Sequence, residues 1–156
     1  MTSFLVAAAN GIHALAIVLF VGYFLLLSLL FVPALAVPET RGGTALGEIS
    51  KRSRPWLYVS LLVFIVTGIY LMFVDPSYLG IGNFGNPWAI LMLVKHVAIL
   101  AMIVIGFWFN FIQRGGQALR YDPNDVQAIA RFRRYSNIMA LCGVLAILLT
   151  AFAQVE

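Results

Sequence analysis

The chain holds two histidines, His13 and His96, and each lies inside a long apolar run. Lys95 directly precedes His96. Ionisable residues within a segment long enough to span a bilayer are costly, so by default they mark function. A neutral imidazole is the commonest metal ligand among side chains. Two imidazoles at one depth on different helices form the donor set that a b-type haem needs, one on each axial face. Two bland or rival readings stand beside it. Membrane histidines also join helices by hydrogen bonds worth about 0.6 to 2 kcal/mol, and imidazole suits other metals, copper among them.

Whether the two histidines can meet depends on the elements that carry them. The 156 residues are 62% hydrophobic and only 10% charged. A soluble domain is about 45–50% apolar and about 25% charged, so this is an integral membrane protein. Four apolar segments suffice to cross a bilayer, at about 20 residues per crossing. They fall at about 4–33, 55–74, 88–113 and 135–153. The first has no charged residue and is too long for a signal-peptide core, so it is expected to be a tilted helix that Pro33 and Pro38 close. Pro55-Trp56 and Pro87-Trp88 open the second and third spans in the same way, with proline at the first turn and tryptophan at the interface. In the third connection, 114–134, the run Asp122-Pro123-Asn124-Asp125 is expected to cap a short helix that leads into the last span. The expected fold is all-α, a single domain forming an antiparallel four-helix bundle with short connections.

Nine of the ten Lys and Arg residues lie in the first and third connections; the tenth is Lys95, and the middle connection has none. By the positive-inside rule the basic connections face the cytoplasm and both termini lie outside. The expected location is a bacterial inner (plasma) membrane, crossed several times. The net charge of +4 then reflects topology and contact with anionic lipid rather than nucleic acid. Cys142 is the only cysteine, so it forms no internal disulfide.

His13 lies nine residues after Phe4 and His96 nine after Pro87. The first and third spans run in the same direction. At about 1.5 Å per residue, each imidazole sits roughly 13 Å below the outer surface. The two are level. Small residues should flank such a site, and Ala9, Gly11, Ala14 and Ala16 surround His13. Thr67 and Gly68, and also Gly143 and Ala146, fall near the same level, while Phe20, Phe64 and Trp108 are candidate walls.

Lys95 points about 100° away from His96 around the helix. It has three readings: a snorkelling side chain, a partner for a haem propionate, or a proton relay. Asn10, three residues before His13, is a candidate to orient the ring or meet a propionate. Met72, Met92 and Met102 offer soft sulfur for copper; Met92 lies one turn before His96. Cys142, Asn110 and Asn137 are read as packing or interfacial residues.

Three stretches carry a family resemblance. They are NGIHALAIVLFVGYF around His13, an RPW…S…TGIYL pattern from Arg54 to Leu71, and Trp88 followed by Lys95-His96. Together they resemble the CopD/HemJ-like membrane proteins across all four helices. HemJ-type members bind b-type haem and oxidise protoporphyrinogen IX. CopD-type members are associated with copper uptake across the inner membrane. The resemblance implies that His13 is a haem ligand and that Lys95 is functional, catalytic if the protein is an oxidase.

The expected protein is a membrane b-type cytochrome with His13 and His96 as metal ligands, and with Lys95, Asn10 and Gly68 at the cofactor. One haem near the outer face cannot alone pass electrons across the bilayer. A quinone, a redox partner or membership of a larger complex is therefore implied. The alternatives are a HemJ-like oxidoreductase, a copper-binding or copper-transport protein, and a structural subunit.

Overall fold

The computed structural model describes residues 2–35, 42–80, 82–83, 85–112, 122 and 125–153. Among the described residues there is no strand. Four helical rods are long and apolar enough to cross a membrane: Ser3–Leu35, Gly42–Val74, Pro87–Phe111 and Val126–Ala153. The expected all-α membrane bundle is the fold.

The first rod is α1 (Thr2–Leu26), a π segment (Leu27–Phe31) and α2 (Val32–Leu35). Pro33 does not close it but sits inside α2. A helical proline collides with the carbonyl four residues back. The π segment shifts the bonding to five residues back, as in Val32 N–H to Leu27 O, and so lets the chain pass Pro33. Pro38 and Arg41 lie outside the described residues. α3 (Gly42–Val74) then turns back so tightly that a Cβ at Gly42 would overlap the Leu35 carbonyl.

α3 also corrects the expected start of the second span. The polar stretch 42–54 is helical, and Pro55 lies inside α3 rather than in its first turn. The proline removes one bond, the one to the carbonyl of Lys51. Lys51 and Arg52 are exposed, so solvent can satisfy that carbonyl. α4 (Pro87–Phe107) starts as expected: Asn86 caps it by accepting the Ala89 N–H at 2.8 Å, with Pro87 next. A second π segment, Trp108–Ile112, ends this rod. α5 (Val126–Ala153) is continuous, so the short helix expected before the last span is its first turns. Asp125 caps it, accepting the N–H groups of Gln127 and Ala128 at 2.8 and 3.0 Å. Arg114 and Arg120 lie outside the described residues.

Neighbouring rods are antiparallel. Gly42 approaches Leu35 while Gly68 approaches His13; Ser28 donates to Asn137 at 2.6 Å while Gly143 meets Val21. α1 packs chiefly on α3, and α4 chiefly on α5; α1 and α5 join the two pairs. α1 and α3 make little direct contact with α4.

One end of the bundle is close-packed and the other is splayed. Phe24, Leu27, Val32, Leu46, Phe132, Ser136 and Met139 are the most deeply buried side chains, and all belong to the end that carries the basic connections. There Phe109 stacks on Tyr135 at 4.0 Å, and Phe24 meets Tyr135 edge-on at 5.7 Å. At the opposite end, which holds the two termini, the core shrinks to Trp88, Ala89 and Ala153 with a few partners. The outward faces are apolar throughout, from Leu15 and Val18 to Leu141 and Phe152, as lipid contact requires.

Candidate cofactor site

The splayed end encloses a cavity of about 560 Å³. That is within the roughly 300–1,000 Å³ typical of cofactor and ligand sites and far more than one ion fills. His13 and Asn10 reach it from α1; Phe64, Gly68, Met72 and then Asp75 from the α3 side; Met92, Lys95 and His96 from α4; Thr150 and Ala153 from α5. All five residues that the sequence puts at a cofactor therefore line one space.

His13 is held firmly. Its Nδ1 lies 2.8 Å from the Thr67 hydroxyl, and that hydroxyl spends its only hydrogen on the Val63 carbonyl at 2.6 Å. Thr67 can therefore only accept, so His13 Nδ1 carries the proton and Nε2 keeps its lone pair. The ring stacks on Phe64 with centroids 4.8 Å apart. Gly68 lies under its edge: a Cβ there would come within 3.1 Å of His13 Cε1. His96 is held at Nδ1 by a different partner. Its Nδ1 lies 2.6 Å from the Met92 carbonyl, which cannot donate, so Nε2 again keeps the lone pair. A hydrogen bond from the second ring nitrogen fixes the tautomer and orients a ligating histidine. When neutral, each imidazole so held offers Nε2 to a metal.

The rest of the lining is mixed. Lys95 is half-buried at the cavity, and Asn10 and His96 are exposed, so the space is open at its side. Asp75 stands where α3 ends and accepts the Ser77 N–H at 2.9 Å. It is the residue that the sequence reading missed here, because its place before Pro76 marks it as a helix stop. Among the described residues no three His, Cys, Asp or Glu side chains cluster as a metal cage. The soft donors beside the two histidines are the thioethers of Met72 and Met92.

Several expected neighbours lie elsewhere. Trp108, twelve residues past His96, is about 18 Å further along the helix and is exposed in the π segment. Phe20 packs in the core of the other end. Gly143 and Ala146 line a separate gap of about 20 Å³, because α5 meets the large cavity one to two turns later, at Thr150. Gly11 and Ala14 face outward. Cys142 packs against the core.

A second cavity, of about 130 Å³, lies in the close-packed end. The sequence gives no sign of it. It is walled by Phe20, Phe24, Phe107 and Phe111 and edged by Arg54, Asn110 and Tyr135, while Ile103 borders both it and the large cavity.

Comparison with protein families finds one match: the family described as Copper resistance protein D (CopD) aligns with residues 47–153, more than half of the chain. The matched region holds Gly68, Lys95 and His96, while Asn10 and His13 on α1 precede it. No curated protein and no solved structure matches the chain.

Proposed function

The chain belongs to the copper resistance protein D family and is a multi-pass membrane protein, and from that premise we propose that its large cavity is a redox cofactor site holding one b-type haem between His13 and His96. The observation that carries this reading is the pair of imidazoles, each with Nδ1 engaged, on one cofactor-sized cavity. The group, when bound, supplies a one-electron couple. Every other contribution comes from the chain. Thr67 and the Met92 carbonyl hold the two rings in the ligating tautomer. Phe64 backs His13, and Gly68 leaves room at its edge. Lys95 supplies the cation that an anionic ring substituent needs in an apolar site, with Asn10 as a hydrogen-bonding neighbour.

Copper is the second reading, and one specific observation favours it. Met72 and Met92 line the same cavity as the two histidines, which makes a soft donor set that agrees with the family description. A haem-type oxidase would use the same cavity, with Lys95 at the substrate. On this reading the cavity lies toward the non-cytoplasmic face, an orientation that the basic first and third connections support.

The test is an optical spectrum of detergent-purified protein, oxidised and then reduced with dithionite, paired with metal analysis. Sharp reduced α and β bands with a shifted Soret band, absent in His13→Ala and His96→Ala, support the haem. Bound copper without a Soret band, lost in the same variants and in Met92→Leu, moves the assignment to copper. A metal-free, colourless and stable protein made with ample haem and copper would sink both.

A further inference from the structure

The narrow cavity has three properties that together name a ligand. The first is size. A cavity of roughly 150 Å³ takes one benzene ring, and this one measures about 130 Å³. It suits a single six-membered ring and is too small for a haem. The second is its wall, which includes the aromatic side chains of Phe20, Phe24, Phe107, Phe111 and Phe132, a lining suited to packing against a planar ring.

The third is an unmet demand for an acceptor. Arg54 lines the cavity, and its Nε is enclosed with no hydrogen-bond partner among the described residues. A buried donor left unpaired costs about 1–3 kcal/mol, more for a charged group, and a guanidinium cannot shed its proton to escape that cost. The cavity brings Arg54 no carboxylate: its other polar groups are the hydroxyls of Ser50, Tyr23, Tyr58 and Tyr135 and the amide of Asn110. Among the described residues the acceptor is missing, and an oxygen carried in by a ligand would supply it.

The route of entry is also visible. Tyr58 on α3 and Phe107 and Phe111 on the α4 rod line the cavity and are 44%, 58% and 57% exposed. α3 and α4 barely touch, so the cavity opens sideways between them, toward lipid. A ligand that arrives through the bilayer, stacks one ring and presents a carbonyl oxygen is a quinone.

We propose that the narrow cavity binds the headgroup of a membrane quinone, with Arg54 donating to one carbonyl and Asn110 and Tyr135 lying at the ring. Why a quinone should be there rests on the redox reading of the large cavity; the binding itself does not.

Decylubiquinone titrated calorimetrically into lipid-depleted, detergent-purified protein tests the proposal. Wild type is expected to bind one equivalent saturably. Arg54→Leu should weaken binding at least tenfold, and Gly106→Leu, which pushes a side chain into the cavity, should abolish it. Gly106→Ala serves as the folding control, because its Cβ meets Met139 Cε and the Tyr135 hydroxyl only at 3.8 Å. His96→Ala should bind the quinone as wild type does, even where its optical spectrum has changed, so the two cavities fail or succeed separately. No saturable binding to wild type overturns the proposal, as does unchanged binding in both Arg54→Leu and Gly106→Leu. An anionic phospholipid retained by wild type and lost in Arg54→Leu, with no quinone uptake, assigns Arg54 to a lipid phosphate and also overturns it.

Discussion

The two cavities form along one bundle by opposite means. The large one exists because the helix pairs diverge: α1 and α3 on one side and α4 on the other have little between them at the end that holds the termini. The narrow one persists where the helices converge, in a cage of aromatic rings that cannot fill the last space around Arg54. Divergence leaves room for side chains from several helices, and both histidines line that space. Convergence collects them by the face they present, so Arg54, Asn110 and Tyr135 meet there from three different elements. In a membrane bundle the first kind of site follows from counting residues, and the second only from knowing each helix's rotation.

Five substitutions would break or sharpen this contrast. The largest effect is expected from His13→Ala or His96→Ala. Each should abolish retention of the cofactor, read as loss of its absorbance or of bound metal after purification, while leaving the narrow cavity unchanged. Thr67→Val comes next. It keeps the shape but removes the acceptor that fixes His13 Nδ1–H, and loss of such a partner typically lowers metal affinity about 10–100-fold. Equilibrium competition with a chelator or an apo-haem acceptor would measure it; unchanged affinity would show that Phe64 stacking alone orients the ring.

Gly143→Ala probes the packing of α5 on α1 outside both cavities. The new Cβ would lie 2.6 Å from Val21 Cγ1, and overpacking of this kind costs typically about 1–3 kcal/mol. A lowered thermal midpoint in detergent is the readout. Ile103→Ala should cost least. Core Ile→Ala changes run about 2–5 kcal/mol, but Ile103 already borders two cavities and has fewer neighbours to lose. A cost below that range, together with merging of the two spaces in the variant's structure, would confirm its place as their partition. A full-sized cost would mean that the side chain is packed on all sides.

The sequence makes one of these regions far more legible than the other. Apolar runs divided by polar stretches reveal the four rods, because a spanning helix needs a continuous apolar length. Spacing counted from Phe4 and Pro87 suggests that His13 and His96 share a height, and Thr67 and Gly68 on α3 do lie against His13. Rotation is harder to read. Lipid and core are equally apolar, so a membrane helix shows no stripe that marks its inner face. Gly11 and Ala14 therefore look as suitable for a cofactor pocket as Gly68 does, yet they face outward. Arg54 was hidden for a different reason. Its neighbours in the chain are Lys51 and Arg52, and the three together read as a topology signal. Only the continuation of α3 through Pro55 carries Arg54 inward while Lys51 and Arg52 stay exposed. The π segment that places Asn110 at the narrow cavity leaves no mark in composition at all.

Ile103 borders both spaces, and its side chain is a saturated hydrocarbon. Protons move along chains of water or polar groups, and a branched alkyl wall offers neither. An electron needs no such chain and passes a few ångströms of packed hydrocarbon by tunnelling. Were the proposed haem and quinone to occupy the two spaces that Ile103 borders, an electron exchanged past it would have to leave its proton behind or find one on the other side.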